Sequence, residues 1–62
     1  MYYWVTEYGD NIGTIKNCFL SYDKAVSFVH QIIKHPDRTY QQISGTQWLC
    51  LEKNEAIEIE IN

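Results

Sequence analysis

One stretch of the sequence constrains the fold more than any other, because residues 21–35 have the periodicity of an amphipathic helix. At about 100° per residue, its apolar side chains fall within one arc of roughly 160°, and polar side chains fill the rest. The apolar set is Tyr22, Ala25, Val26, Phe28, Val29, Ile32 and Ile33. Ser21 is a suitable N-cap, and Pro36 disfavours helical geometry at His35. The pattern therefore predicts one helix that begins after Ser21 and ends before Pro36.

Two extended segments precede this helix. Tyr2 to Tyr8 is rich in β-branched and aromatic residues, residues 9–13 carry turn-forming glycines, and Thr14 to Leu20 is a second extended run. They predict a hairpin in which Tyr8 lies opposite Thr14. This register places Tyr3, Val5, Ile15 and Phe19 on one face, and Tyr2, Trp4, Thr6, Tyr8, Lys16 and Cys18 on the other.

The segment after the helix predicts a second hairpin. Thr39 to Ile43 is a weak candidate strand, whereas Thr46 to Glu52 and Ala56 to Ile61 have stronger β patterns. In the last strand, isoleucines alternate with Glu58 and Glu60, so we expect the isoleucines to face the core. A three-residue loop at residues 53–55 would place Leu49 and Leu51 inside and Trp48 and Cys50 outside, and a two-residue loop would reverse this. We expect the first arrangement, because it buries the branched aliphatic side chains together.

These elements predict a single α+β domain over residues 1–62. Its antiparallel sheet has four or five strands in ββα(β)ββ order, and the amphipathic helix packs on one face. A chain of 62 residues buries only about 60 % of the surface that its unfolded form exposes. Its stability is therefore expected to be marginal.

Charge and composition exclude several classes of function. The net charge is −3, and residues 52–62 contain four glutamates against Lys53. Because no basic footprint is present, we expect no direct nucleic-acid binding. No leader-like segment and no apolar run of about 18 residues occurs, so we expect no membrane association and a cytoplasmic location. Two cysteines are too few for a disulfide framework, and reduced thiols are expected.

The residues that could carry catalysis or bind metal are scattered. Cys18, His30, His35 and Cys50 are separated by 12, 5 and 15 residues, without the closely spaced pairs of a zinc site. Nothing places a cysteine beside an oriented base, and the glycines do not form a phosphate-binding loop. We therefore expect no enzymatic activity, no metal and no cofactor.

The aromatic residues give the strongest functional signal. One helix covers only one face of the sheet, and Trp and Tyr are enriched at binding hot spots. The candidate partner-binding residues on the other face are Tyr2, Trp4, Tyr8, Lys16, Trp48, Glu58 and Glu60. A shifted register would instead turn Trp4 or Trp48 into the core, and that alternative stays open.

The layout resembles the small uncharacterised domains that are common in phages and mobile elements. The resemblance spans the whole chain, and its local pattern is Phe19-Leu20-Ser21-Tyr22-Asp23-Lys24-Ala25, a strand end followed by a helix cap. It implies an accessory protein, and some such proteins inhibit host defence systems by occupying a surface of a larger complex. The pattern specifies no functional residue.

The leading hypothesis is a small inhibitor or adaptor that binds another protein or protein complex, such as a phage-encoded anti-defence factor in the host cytoplasm. One alternative is a homodimer or larger oligomer whose assembled pocket binds a small ligand, for example a signalling nucleotide. A second alternative is an acidic mimic of nucleic acid, which the cluster of C-terminal glutamates suggests.

Overall fold

The computed structural model describes residues 1–36 and 39–62. The chain order is β1 (Tyr3–Gly9), β2 (Gly13–Phe19), α1 (Tyr22–Ile33), β3 (Gln41–Ser44), β4 (Gln47–Cys50) and β5 (Glu55–Ile61). The strands form one antiparallel sheet in the order β2-β1-β5-β4-β3, and α1 packs against β1, β2 and β5. The predicted α+β class is confirmed, with five strands. Asp37 and Arg38, which connect the helix region to β3 in the sequence, lie outside the described residues.

Both predicted ends of the helix are confirmed. The Ser21 hydroxyl accepts a hydrogen bond from the backbone N–H of Lys24 at 3.3 Å, which satisfies one of the free amides of the first turn. At the other end, the backbone N–H of His35 donates to the Ile32 carbonyl at 3.2 Å. The helix stops at Ile33, before the proline.

The core lies between α1 and one face of the sheet. Its buried members come from both layers: Val5, Ala25, Val29, Trp48, Ile57 and Ile59. Two aromatic contacts border it, with ring centroids 5.1 Å apart for Phe19 and Phe28, and 5.8 Å apart for Tyr3 and Tyr22. The apolar arc of the helix is thus the surface that covers the sheet.

The register of the N-terminal hairpin is as predicted. Tyr8 lies opposite Thr14, and the pairing continues without interruption to Tyr3 opposite Phe19. Val5 is completely buried on the helix side, and Cys18 is exposed on the other side. The alternation of side chains along β1 therefore separates the two faces as expected.

The predicted register of the C-terminal hairpin is wrong. Cys50 pairs with Glu55 and Trp48 with Ile57, so the turn consists of four residues, 51–54, rather than three. This change reverses the faces of β4. Trp48 is 4 % exposed and Cys50 is buried on the helix side, whereas Leu51 is 75 % exposed in the turn.

Two physical features explain this outcome. Asn54 ends the turn with a φ of 52°, a left-handed conformation that asparagine tolerates better than most residues. The four-residue turn also buries the large indole of Trp48, which removes more apolar surface from water than Leu51 would. The final strand still turns Ile57 and Ile59 to the core, as predicted, whereas Ile61, which was expected there too, is 58 % exposed.

Candidate partner-binding face

The sheet face opposite the helix is built by alternate residues of neighbouring strands. We call it the open face, because no described element covers it. The pairing registers place on it Trp4, Thr6 and Tyr8 of β1, Thr14, Lys16 and Cys18 of β2, Ala56, Glu58 and Glu60 of β5, and Gln47 and Leu49 of β4. Tyr2 continues this face beyond β1, where its backbone pairs with Asn62.

A polar row crosses the middle of the open face. Lys16 lies opposite Thr6, Thr6 opposite Glu58, and Glu58 opposite Gln47. The Thr6 hydroxyl donates to Glu60 Oε1 at 2.9 Å, and Lys16 Nζ lies 3.8 Å from the same oxygen. Thr6 is only 5 % exposed, because these longer side chains shield it on a face that no described element covers.

The two carboxylates of this face have different surroundings. Glu60 is close to the cation of Lys16, whereas Glu58 accepts a hydrogen bond from the neutral amide of Gln47, with 2.9 Å between Nε2 and Oε2. Within residues 1–36 and 39–62, no cationic side chain lies within ion-pair distance of Glu58. The face therefore presents a negative charge at its centre.

Apolar groups lie on both sides of the polar row. Towards one end of the strands, Trp4 is half-buried between Cys18 and Glu60, and Tyr2 is 52 % exposed. Towards the other end, Tyr8, Ala56 and Leu49 lie side by side on adjacent strands. Tyr8 is 41 % exposed. The open face thus combines two apolar patches with an acidic centre.

The structure places most of the predicted binding residues together. The six that lie on the open face are Tyr2, Trp4, Tyr8, Lys16, Glu58 and Glu60. Trp48 is the exception and a correction, since it belongs to the core beside Ile57. Leu49 occupies the open face in its place, and Gln47 and Thr6 complete the polar row, a role that the sequence pattern did not reveal.

The other chemically reactive residues remain apart. Cys18 and Cys50 are free thiols on opposite faces of the sheet. The described part of the chain contains no group of three or more His, Cys, Asp or Glu side chains that could hold a metal ion, and no pocket. Among the same residues, no helix has the length and apolar character needed to cross a bilayer.

Comparisons with protein-family models, curated proteins and solved structures give no match for this chain. Any assignment of function therefore rests on the site itself.

Proposed function

We propose that this chain is a small protein-binding inhibitor or adaptor that acts by occupying a surface of a partner protein with its open face. The observation that carries the proposal is the association of Trp4, Tyr8 and Leu49 with an acidic centre, on a sheet face that no described element covers. Aromatic side chains give a large contact area at low entropic cost, so they are typical anchors of an interface.

The arrangement favours a partner with complementary chemistry. A complementary surface would present apolar groups to the two patches and an arginine or lysine to Glu58, whose described contact is the neutral Gln47. Because Glu58 lies between the patches, this charge pair would fix the orientation of the complex and increase the association rate. The resemblance to phage accessory domains makes a host defence complex the first partner to examine.

The test begins with affinity capture from cells that naturally express the chain, followed by identification of the bound protein. Binding is then measured with purified partner and the variants Trp4→Ala, Tyr8→Ala and Glu58→Lys. We expect each aromatic variant to weaken binding by about tenfold or more, the effect of losing a hot-spot side chain. Glu58→Lys should slow association most strongly at low salt.

Two exposed residues of the β4–β5 turn provide matched controls. Leu51→Ala removes an apolar side chain that is 75 % exposed, and Glu52→Lys makes the same charge change as Glu58→Lys away from the open face. Both controls should bind the partner normally. Equal losses of affinity for the partner in the control and open-face variants, with native circular dichroism spectra for all of them, would contradict the proposal.

A further inference from the structure

The two edges of the sheet differ in a way that points to a second interaction surface. The edge strand β3 has four residues, and its pairing with β4 shifts register between Gln42 and Ser44. The opposite edge, β2, has seven residues that pair with β1 in an unbroken register. Short, irregular edges resist pairing with other chains, whereas long regular ones invite it. Of the two edges of the described sheet, β2 therefore has the form of a strand that can accept another.

Backbone hydrogen bonds show which groups β2 directs outward. Tyr2 and Asn62 exchange both of their N–H to carbonyl bonds at 2.8 Å, which makes them a hydrogen-bonded pair of β1 and β5. Because backbone groups alternate sides along an antiparallel strand, the even-numbered residues of β1 bond to β5 and the odd-numbered ones bond to β2. In β2 the N–H and carbonyl groups of Thr14, Lys16 and Cys18 consequently point away from the sheet.

Lysine is a common device against edge pairing, but Lys16 is turned away from this edge. Its Nζ lies 3.8 Å from Glu60, a residue of β5, and β1 lies between β2 and β5. The side chain thus extends inward across the sheet. Lys16 therefore does not shield the outward backbone groups of β2 from pairing with another strand.

We propose that a second copy of this chain pairs antiparallel with β2 across a two-fold axis at Asn17, which joins the two sheets into one of ten strands. This register places Ile15 opposite Phe19 of the second copy, twice by symmetry, and Lys16 opposite Cys18. Ile15 is 44 % exposed and Phe19 half-buried in the single chain. Pairs of aromatic and β-branched residues are favourable across strands.

The neighbouring registers fit less well. An axis at Lys16 would place Ile15 opposite Asn17, and an axis at Cys18 would place Phe19 opposite Asn17, so both registers lose the favourable pair of Ile15 with Phe19. An axis at Ile15 would place Asn17 opposite Gly13 and leave Phe19 beyond the paired region. The sequence of β2 is therefore self-complementary about Asn17, and this symmetry favours a second copy over an unrelated strand as the occupant.

The dimer does not depend on the proposed function. The two-fold axis of an antiparallel strand pair is perpendicular to the sheet, so both open faces would lie on the same side of the joined sheet. A dimer would then offer two binding faces side by side. Loss of dimerisation and loss of partner binding are separate measurements, and each can fail without the other.

Cross-linking by an introduced cysteine tests the axis directly. Asn17 and its symmetry mate would be a non-hydrogen-bonded pair, with Cα atoms about 4.5 Å apart, within the range of a disulfide. In a Cys18→Ser background, the variant Asn17→Cys should form a disulfide-linked dimer under mild oxidation several times faster than Gln31→Cys, an exposed control on α1. Equal rates for the two variants, or faster cross-linking of Ile15→Cys, would overturn the proposal.

A proline provides the second test. The N–H of Cys18 points outward, so Cys18→Pro removes no bond to β1 but removes a bond that the dimer requires. Light scattering should give twice the monomer mass for the Cys18→Ser control and the monomer mass for Cys18→Pro, with native circular dichroism for both. A monomer for the control at millimolar concentration would overturn the proposal, whatever the proline does to folding.

Discussion

Val5 and Thr6 are neighbours in β1 that point to opposite faces of the sheet, and both are almost inaccessible to water. Val5 is buried by apolar residues of α1 and β5, among them Val29 and Ile59. Thr6 is instead covered by polar side chains of its own sheet, with Glu60 bound to its hydroxyl. The same degree of burial is thus reached by apolar packing on one face and by a solvated polar network on the other.

This difference separates the residues that stabilise the fold from those of the proposed binding face. Contacts on the helix face exclude water and carry most of the free energy of folding, since apolar burial is the dominant favourable contribution. The charged groups of the open face are partly hydrated, with the Lys16 and Glu60 side chains 52 % and 44 % exposed, so their contacts contribute little. Residues of the open face can therefore serve binding without a large cost to the fold.

The two tryptophans should show the largest contrast. Trp48→Ala removes a core side chain and should destabilise the protein by about 3–5 kcal/mol. This is a large part of the total free energy of unfolding of a small domain. Trp4→Ala, on the open face, should cost much less and leave a folded protein. Urea denaturation followed by circular dichroism gives both values. A folded Trp48→Ala variant beside an unfolded Trp4→Ala variant would reverse the assignment of the faces.

Gly9 tests how tightly the sheet is packed where β1 meets the β4–β5 turn. A Cβ atom at Gly9 would lie 2.6 Å from Cγ of the buried Glu55 and 2.8 Å from the Asn54 carbonyl oxygen. Gly9→Ala should therefore force a backbone shift and cost about 3 kcal/mol. Gly45→Ala is the matched control, because its Cβ would meet nothing within 4 Å. Equal thermal midpoints for the two variants would show that the backbone at this end of the sheet can shift to accommodate the added methyl group.

Exchanging Val and Thr at neighbouring positions compares the faces at constant side-chain volume. Val5→Thr places a hydroxyl among apolar core residues and should cost about 2 kcal/mol. Thr6→Val loses one hydrogen bond to Glu60, whose exposed carboxylate can bind water instead, so the cost should be below about 1 kcal/mol. Chemical denaturation measures both changes. If Thr6→Val lowered the free energy of unfolding more than Val5→Thr does, the polar network would be a major source of stability.

Of the four comparisons, the one at the helix cap should give the smallest difference in stability between its variants. Ser21→Ala removes the acceptor for the Lys24 amide and should cost about 1 kcal/mol. Ser21→Asp restores an acceptor and should recover most of that loss. Thermal unfolding of the three proteins tests this order, and identical midpoints would show that the cap does not limit the stability of α1.

The parts of the fold that local signals determine could be predicted from the sequence. Ser21, Pro36 and the apolar arc specify α1, and the alternation along β1 and β5 separates their faces. The register of β4 could not be predicted in the same way, because residues 51–55 allow turns of different length and one residue more reverses every side chain. Asn54 adopts a left-handed φ of 52° in the longer turn, which an asparagine tolerates, but its presence in the sequence does not fix the length of the turn.

The predicted residues of the candidate site lie on the expected face where the predicted register is correct, and not where it is wrong. Trp4, Tyr8 and Lys16 belong to the hairpin whose register was predicted correctly, and the structure brings them to one face. The predicted position of Trp48 depended on the β4 register, and the observed register places Trp48 in the core together with Cys50. The contact of Lys16 with Glu60 spans three strands, so it depends on the order of the strands in the sheet. The sequence patterns predict each hairpin separately and do not give this order.

Quenching of tryptophan fluorescence tests the division between the two faces most directly. Trp4→Phe leaves Trp48 as the sole indole, and Trp48→Phe leaves Trp4, so acrylamide quenching reports on each position separately. We expect weak quenching and blue-shifted emission for Trp48 in the core, and stronger quenching with red-shifted emission for Trp4 on the open face. Stronger quenching of Trp48 than of Trp4, in folded variants, would contradict this division of the two faces.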